Sequence, residues 1–296
     1  MTTSPAPTRQ DLVEPILQWY DEHARDLPWR RPDASAWSVL VSELMLQQTP
    51  VVRVLPVHAA WLERWPRPAD LAAEAPGEAV RAWGRLGYPR RALRLHGAAV
   101  AITEQHGGEV PASYDELLAL PGVGDYTAAA VAAFAYGRRQ VVLDTNVRRV
   151  LARAVSGVEF PSRSVNRAER EVAAALLPQD PPTAATWSVA VMELGAVVCS
   201  AERPRCPACP VRDGCAWQAA GAPPYDGPPR PVQGYAGTDR QCRGRLLAVL
   251  RDAPGAVEKA RLDQVWDDDT QRERALVSLV ADGLAVVTAE GRYALP

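Results

Sequence analysis

Four cysteines lie close together in the sequence, at positions Cys199, Cys206, Cys209 and Cys215. Six, two and five residues separate them, and prolines are interspersed between them. Four thiolates in one short loop can surround a single iron–sulphur cluster, and the prolines prevent the loop from becoming helical. Zinc also accepts four cysteines, but zinc sites usually pair two short C-x-x-C knuckles, and only one such knuckle is present. The spacing therefore favours an iron–sulphur cluster over a zinc ion.

Two acidic residues have surroundings that suit paired carboxyl chemistry. Asp144 follows an apolar run and precedes a predicted helix, so the helix-start amides would keep its carboxylate ionised. Glu43 lies in a predicted helix that is apolar on most sides, where partial burial would raise its pKa and keep it protonated. Taken alone, Asp144 could serve only as a helix cap, and Glu43 could be an ordinary surface glutamate. Together, a carboxylate and a protonated acid suit the cleavage of an N-glycosidic bond.

The segment Leu120–Gly124 has the composition of a phosphate-binding hairpin. Its glycines let the backbone approach a phosphate, and the amides of the helix that begins near Asp125 would point towards that phosphate. As an isolated pattern, the segment could be any connection between two helices. Gly122, Val123 and Gly124 are therefore the candidate residues for binding a phosphate.

The elements that must position these residues are predicted to be helices. Residues 8–200 show apolar stripes at helical spacing, and no sustained strand alternation occurs before residue 285. The fold is therefore predicted to be all-α. Apolar stripes within residues 12–19 and 39–45 predict two helices. The other predicted helical stretches are 51–64, 76–85, 90–105, 125–136, 145–155, 163–177 and 184–198.

A segment rich in proline and glycine, residues 217–239, is predicted to be a linker. Residues 240–296, hereafter the C-terminal segment, contain three predicted helices and then a predicted two-stranded hairpin. This order of elements is typical of a winged helix.

Composition and charge limit the classes of function. The chain of 296 residues has a net charge of −2, and its first 25 residues contain no apolar run, so we expect neither a secretory signal nor a membrane span. A reducing cytoplasm follows as the expected compartment. Charge alone favours solvated helix faces over a DNA-binding surface for two groups of arginines, Arg81, Arg85, Arg90, Arg91 and Arg94, and Arg138, Arg139, Arg148, Arg149 and Arg153.

Over residues 8–216 the chain resembles the adenine DNA glycosylase family known as MutY, in the endonuclease III superfamily. The cysteine loop and the hairpin are similar to those of the superfamily. Glu43 followed by Gln47-Gln48-Thr49 is the most specific feature of this branch. The other matching motifs are Leu27-Pro28-Trp29-Arg30, Leu86-Gly87-Tyr88 and Met192-Glu193-Leu194-Gly195-Ala196.

The resemblance assigns catalytic roles to four residues. Glu43 would protonate N7 of adenine, and Asp144 would stabilise the oxocarbenium ion or briefly bond to it. Asn146 would orient Asp144, and Tyr126 would assist at the sugar. Relatives with lyase activity have a lysine in place of Tyr126 for Schiff-base chemistry. Because the only lysine of the chain is Lys259, the resemblance implies a monofunctional glycosylase.

The resemblance also assigns residues that bind the substrate. Gln48 and Tyr88 would wedge into the base stack while the adenine is extruded, and extrusion costs least at a mispair. Thr49 and Leu86 would lie near the opposing base. The adenine pocket would be lined by Leu27, Trp29 and Arg30.

The family implies a helix–hairpin–helix DNA glycosylase fold. It has a six-helix barrel, predicted at residues 30–140, and a 4Fe–4S cluster subdomain, predicted at residues 1–29 and 141–216, with the active site in the cleft between the two. The four cysteines would hold the cluster, and backbone carbonyls of the hairpin can hold a monovalent cation. The expected partner is double-stranded DNA with an adenine mispair. We expect a monomer that works on the nucleoid, in the cytoplasm, without a membrane.

Two features depart from the family pattern. Ser188-Val189-Ala190 stands where many members carry an acid or amide that reads the adenine edge, so that contact is absent or supplied elsewhere. The C-terminal segment does not resemble the Nudix-like domain that reads 8-oxoguanine in longer members, and our hypothesis is that it contacts flanking DNA or the opposing lesion. Two other functions stay open, a thymine or uracil mismatch glycosylase and a non-enzymatic iron–sulphur regulator that binds DNA.

Overall fold

The structure, a computed structural model, describes residues 9–228 and 234–296. The described chain is helical apart from one short hairpin, which confirms the predicted all-α class. Strand β1 spans Val286–Val287 and β2 spans Tyr293–Ala294. The helices are α1 Arg9–His23, α2 Ala36–Leu46, α3 Val51–Arg64, α4 Pro68–Ala72, α5 Pro76–Trp83, α6 Arg90–Gln105, α7 Tyr114–Ala119, α8 Asp125–Tyr136, α9 Thr145–Ala154, α10 Arg167–Leu176, α11 Pro181–Val197, α12 Ala216–Ala219, α13 Asp239–Asp252, α14 Lys259–Asp263 and α15 Asp269–Ala281.

Local signals in the sequence explain where these helices begin and end. Asp144 caps α9, and Asp180 caps α11 by accepting a hydrogen bond from the Thr183 amide, with Pro181 at the first helical position. The alanine-rich helix α8 ends at Gly137, whose left-handed backbone suits a glycine. A helix occurs at each predicted stretch, but α5 ends at Trp83 and α10 begins only at Arg167, because Asn166 caps it. The short helices α4 and α7 were not predicted, because five or six residues give too few turns for an apolar stripe.

The described residues form two compact units. The first comprises residues 9–39, 112–118 and 124–228. Its core joins α1, α9, α11 and α12 around three buried indole rings, those of Trp19, Trp187 and Trp217. Residues 217–219 were assigned to the linker, but they form the end of α12, where Trp217 donates to the Pro223 carbonyl over 2.8 Å. Residues 229–233 of the predicted linker lie outside the described residues.

The second unit comprises residues 40–111 and 119–123 and, within the described part of the chain, residues 234–296. Three fully buried tryptophans form its centre, and Trp61 packs edge-on against Trp65 and Trp83, with ring centroids 4.7 Å and 5.7 Å away. The C-terminal segment belongs to this unit. Its helices α13, α14 and α15 precede the β1–β2 hairpin, which confirms the predicted order of elements.

The hairpin is antiparallel and pairs Val286 with Ala294 and Val287 with Tyr293. Val257 adds an isolated bridge to Tyr293. No helix in the described part of the chain is both long enough and apolar enough to cross a bilayer. The predicted subdomain boundaries at residues 30, 140 and 216 remain predictions.

Candidate active site

Asp144 is held at the first turn of α9 by hydrogen bonds to both of its carboxyl oxygens. Oδ1 accepts from the backbone amide of Val147 over 2.6 Å, and Oδ2 accepts from Nδ2 of Asn146 over 2.7 Å. The helix cap that the sequence predicted is therefore present. With both oxygens held, the carboxyl group has a fixed orientation, which a group that stabilises a developing positive charge requires.

The side chain of Asn146 is held in turn by Arg149. Nη2 of Arg149 donates to Oδ1 of Asn146 over 2.8 Å and to the carbonyl of Gly195 over 2.7 Å. Its Nε donates to the carbonyl of Cys199 over 2.7 Å. A hydrogen-bonded path therefore runs from the cysteine loop through Arg149 and Asn146 to Asp144.

Gly195 allows this path to form. A Cβ atom at Gly195 would lie 2.7 Å from Cβ of Asn146 and 2.8 Å from its carbonyl oxygen, so helices α9 and α11 can approach this closely only at a glycine. Sequence reasoning recorded Gly195 as part of a family motif but did not find Arg149 as a positioning residue. In the sequence, an arginine one turn into a helix cannot be distinguished from an arginine on a solvent-exposed helix face.

The direction in which the pKa of Asp144 is shifted differs from the sequence-based expectation. Burial raises the pKa of its carboxyl group, although part of the side chain stays accessible to solvent. The hydrogen bonds from Val147 and Asn146 and the charge of Arg149 lower the pKa, but desolvation outweighs them. The helix-start amides therefore offset the cost of ionisation without reversing it.

Tyr126 lies in the first turn of α8, in the same unit as Asp144. It is half-buried and packs against a cluster that includes Val142 and Met192. Val142 precedes Asp144 by two residues, so α8 and the segment that leads to Asp144 share one apolar contact. This packing fixes the helix start from which Tyr126 extends.

Glu43 lies on α2, in the second unit. Its residue is only 4% exposed, and its neighbours Ser42 and Leu44 are also buried. The desolvation that the sequence predicted for Glu43 is confirmed.

The two predicted wedge residues share an unusual backbone conformation. Gln48 has φ +54° and Tyr88 has φ +46°, in the left-handed region that residues other than glycine rarely adopt. Gln48 is exposed, and Tyr88 is 46% exposed. Such backbone persists only where the surrounding structure holds it, and it clusters at functional sites.

Arg91 on α6 holds both of these loops. Its Nη1 donates to the carbonyl of Leu44 over 2.7 Å, and its Nη2 donates to the Thr49 hydroxyl over 3.0 Å and to the Gly87 carbonyl over 3.1 Å. The guanidinium carbon lies 5.4 Å from the centre of the Tyr88 ring. Burial lowers the pKa of Arg91 to about 10. Arg91 was predicted to lie on a solvated helix face, and this prediction was wrong because charge alone cannot show which arginines satisfy buried carbonyls.

Arg148, Arg149 and Arg153 of the second arginine group are buried as well, so the solvated-face interpretation was wrong for them too. Arg148 pairs with Glu169 at 2.5 Å. Arg153 donates to the carbonyls of the cysteine loop, at 2.8 Å for Ser200. These side chains hold the first unit together internally.

The residues predicted near the opposing base are brought together. The Thr49 hydroxyl donates to the carbonyl of Leu86 over 3.3 Å, and both residues are buried. Of the predicted pocket residues, Leu27 and Trp29 are buried, and Arg30 donates to Glu193 over 2.9 Å.

Glu193 belongs to the family motif, and its side chain is completely buried. Burial raises its pKa, but the hydrogen bonds and charges of Arg25 and Arg30 outweigh burial, so the pKa is lowered overall. Arg30 therefore already has an anionic partner within the protein.

The predicted hairpin connects α7 to α8. Gly122 has φ +77°, and a Cβ atom there would lie 2.4 Å from Cβ of Arg94. Both the conformation and the space therefore require glycine at position 122. Gly124 caps α8 with open space around it, and the Val123 amide donates to the Leu120 carbonyl over 3.1 Å. Arg94 is exposed beside this turn, which makes it a candidate for phosphate contact that the hairpin motif alone did not identify.

The predicted cluster ligands belong to the core of the first unit or pack against it, namely Cys199, Cys206, Cys209 and Cys215. None of the described cysteines forms a disulfide. Burial raises the pKa of Cys209 to about 11, and the charges of the other three thiolates add to the rise.

Hydrogen-bond donors also reach the sulphur atoms of this loop. Nη1 of Arg153 lies 3.3 Å from Sγ of Cys199, and Nε2 of Gln218 lies 3.4 Å from Sγ of Cys206. The donor set thus fits thiolate ligands. Within residues 9–228 and 234–296, however, no group of three or more His, Cys, Asp or Glu side chains has the arrangement needed to hold a metal ion. The iron–sulphur cluster remains a prediction.

Comparison with known proteins shows what the chain resembles. Residues 41–174 match the family described as HhH-GPD superfamily base excision DNA repair protein. A protein of Mycolicibacterium smegmatis named Adenine DNA glycosylase is 56% identical over 281 residues, which cover 95% of this chain and 94% of that protein. A Homo sapiens protein of the same name is 41% identical over 209 residues, covering 68% of this chain and 38% of the human one.

Solved structures agree on the fold. A thermostable thymine-DNA glycosylase aligns with a TM-score of 0.64 at 26% sequence identity, covering 72% of this chain and 97% of that one. An endonuclease III in a non-covalent complex with DNA aligns with a TM-score of 0.61 at 22% identity, covering 73% of this chain and 98% of that one.

The path from Arg149 to Asp144 generates a prediction. Replacing Arg149 with methionine removes a positive charge and releases Asn146, so the pKa of Asp144 should rise further. A carbon-13 NMR titration of the Asp144 carboxyl group measures this pKa. Arg148→Met is the matched control, because Arg148 is also buried on α9 but pairs with Glu169. An Asp144 pKa that responds equally to both substitutions would contradict a specific role for Arg149.

Proposed function

Because the chain belongs to the HhH-GPD superfamily of base excision DNA repair proteins, and within it to the adenine DNA glycosylases, we propose that it hydrolyses the N-glycosidic bond of adenine mispaired with 8-oxoguanine or guanine. The protein is a DNA N-glycosylase of base excision repair that acts on adenine. The observation that best supports the finer proposal is the geometry of Asp144, whose two oxygens are held by Val147 and Asn146.

The proposed reaction needs one acid and one carboxylate. Glu43 gives its proton to N7 of the extruded adenine, and the electron pair of the breaking glycosidic bond moves into the base. Asp144, oriented by Asn146, stabilises the positive charge that develops on the sugar. Water then adds to the sugar carbon, and its proton passes to a carboxylate. A fixed carboxylate in a desolvated site stabilises such a charge more than it would in water.

Recognition begins with extrusion of the adenine. Gln48 and Tyr88 are the proposed wedge, and their exposure and left-handed backbone support that role. Leu27, Trp29 and Arg30 are proposed to line the pocket for the extruded base. Extrusion costs a few kcal/mol and costs least where pairing is already weak, which favours a mispair as substrate. Thr49 and Leu86 are the proposed neighbours of the opposing base.

The remaining sites are proposed to hold DNA and a cluster. Gly122, Val123 and Gly124 would bind phosphate through their backbone amides, and a monovalent cation at the hairpin would add to that binding. A 4Fe–4S cluster would be held by Cys199, Cys206, Cys209 and Cys215. When bound, such a cluster would cross-link the loop and change the local charge. We expect a cytoplasmic monomer that acts on duplex DNA.

The proposed roles of the two carboxyl groups can be tested separately from binding. Glu43→Gln should slow adenine release about 10²- to 10⁴-fold, because the general acid is lost. Asp144→Asn should slow release by a similar factor, because the charge facing the sugar is lost. Single-turnover assays give the rates, and gel shifts on mispaired DNA give the affinities, which should stay within about threefold of the unmodified protein.

Glu171→Gln is the matched control for these variants, because Glu171 is exposed and its ion pair with Arg167 is a surface pair of small value. The control should release adenine at the unmodified rate. Undiminished release by either the Glu43 or the Asp144 variant would refute the assignment.

The proposal that the enzyme does not cleave the DNA strand gives another prediction. Schiff-base chemistry needs an amine near the sugar, but Tyr126 occupies that position and residues 1–258 contain no lysine. Borohydride should therefore trap no covalent adduct between the unmodified protein and its substrate DNA. Tyr126→Lys supplies an amine at that position and is the positive comparison. Efficient trapping by the unmodified protein would show that the enzyme is bifunctional.

A further inference from the structure

We propose that the C-terminal segment is an intramolecular brace that positions the loop Gly84–Pro89, which carries Leu86 and Tyr88, and is not itself a reader of DNA. The inference rests on the proposed function, because it concerns the placement of a proposed wedge residue. Four sets of contacts within the second unit support it.

Arginines connect α5 and α13 in both directions. Nη1 of Arg81, on α5, donates to the carbonyls of Arg251 and Ala253, the latter over 3.0 Å. Nε of Arg251, on α13, donates back to the carbonyl of Val80 over 2.9 Å. Arg251 is largely desolvated, and burial lowers its pKa to about 10. A desolvated guanidinium that donates to a backbone carbonyl is a strong and directional link.

The other end of α5 meets the last residues of the segment. The amide of Gly77 donates to the carbonyl of Pro296 over 2.7 Å. A Cβ atom at Gly77 would lie 2.5 Å from that oxygen and 2.8 Å from Cβ of Leu295. The first turn of α5 therefore touches the segment at backbone distance, and only glycine allows this approach.

The start of α6 is also tied to the segment. Asp282, which follows α15, accepts from Arg243 over 2.6 Å and pairs with Arg90 at 3.3 Å. Arg90 is the first residue of α6 and directly follows the loop Gly84–Pro89. The segment consequently holds the helices on both sides of this loop.

The loop itself is linked to α5 by a fully buried residue. Nε1 of Trp83, whose side chain is at the centre of the unit, donates to the carbonyl of Gly87 over 2.9 Å. Gly84 and Gly87 have positive φ, which glycine adopts without strain, but Tyr88 has positive φ as well, so its surroundings must maintain its conformation. A displacement of α5 would therefore reach Tyr88 through Trp83 and Gly87.

The charges of the segment argue against a DNA-reading role. Residues 240–296 contain nine arginine or lysine residues and nine aspartate or glutamate residues, so the segment has no net positive charge. Three consecutive aspartates, Asp267–Asp269, lie at the start of α15. In helix–turn–helix proteins, the start of the recognition helix meets the bases and phosphates, where acidic side chains are repelled.

Substitutions in the full-length protein test the brace. Arg81→Met and Arg251→Met each break the connection between α5 and α13, and they should slow single-turnover adenine release about ten- to a hundredfold through misplacement of the wedge. They should also reduce the fluorescence rise of 2-aminopurine placed beside the target adenine, which reports unstacking. Arg251→Lys should restore part of both signals. Arg274→Met is the matched control, because Arg274 is exposed and pairs with Asp239, the first residue of α13, and not with α5 or α6.

A less disruptive variant is needed in case the Arg81 and Arg251 substitutions unfold the protein. Asp282→Asn removes the pairing with Arg90 and Arg243 at the surface, and it should reduce the 2-aminopurine signal while the melting temperature stays within a few degrees. Normal release and normal fluorescence in folded Arg81, Arg251 and Asp282 variants would overturn the brace.

Salt dependence separates the brace from DNA reading. If the segment contacted phosphates, substitution of exposed Arg261 by methionine would lower the slope of log Kd against log salt by about one, whereas the brace predicts an unchanged slope. A lowered slope would therefore count against the proposal. Failure of the unmodified protein to release adenine would refute the proposed function instead, so the two failures are distinguishable.

Discussion

The functional loops of this protein depend on buried or half-buried arginines whose guanidinium groups donate to backbone carbonyls of neighbouring segments. Arg149 joins the cysteine loop to Asn146, and Arg91 joins the end of α2 to Gly87. Arg251 joins α13 to α5. Loop carbonyls that lack a helical partner must be satisfied when they are buried, and a guanidinium can satisfy several at once through its five donors. Arg149 and Arg91 thereby fix segments that carry a proposed catalytic or wedge residue, and Arg251 fixes α5, which leads into the loop that carries Tyr88.

Fixing Asp144 in this way carries an electrostatic cost. The surroundings that orient the carboxyl group also remove water from it, so burial raises its pKa despite the amide of Val147 and the charge of Arg149. The same desolvation strengthens the attraction between the ionised group and a developing cation. A carboxylate that is costly to ionise but firmly held is therefore well suited to transition-state stabilisation.

Sequence patterns predicted the helices and the residue sets that local spacing determines, including the Asp144 cap and the burial of Glu43. They did not reveal relationships between distant segments. Arg91 and Arg149 are buried because they donate to carbonyls that lie far away in the sequence. The positive φ of Gln48 and Tyr88 could not be predicted either, because glutamine and tyrosine rarely adopt it. The order of elements in the C-terminal segment was predictable. Its contacts with α5 were not, because they depend on Gly77 and Arg81, and no sequence pattern links these two residues to the segment.

The most direct test of the account is a glycosylase assay with the unmodified protein on duplexes that carry A, T or U opposite guanine or 8-oxoguanine. The account predicts release of free adenine from both adenine duplexes, with strands that remain intact until alkali is added. Release of thymine or uracil with adenine left in place would contradict it and favour a thymine or uracil mismatch glycosylase. Binding of the mispair without release of any base would contradict it as well and favour a DNA-binding regulator.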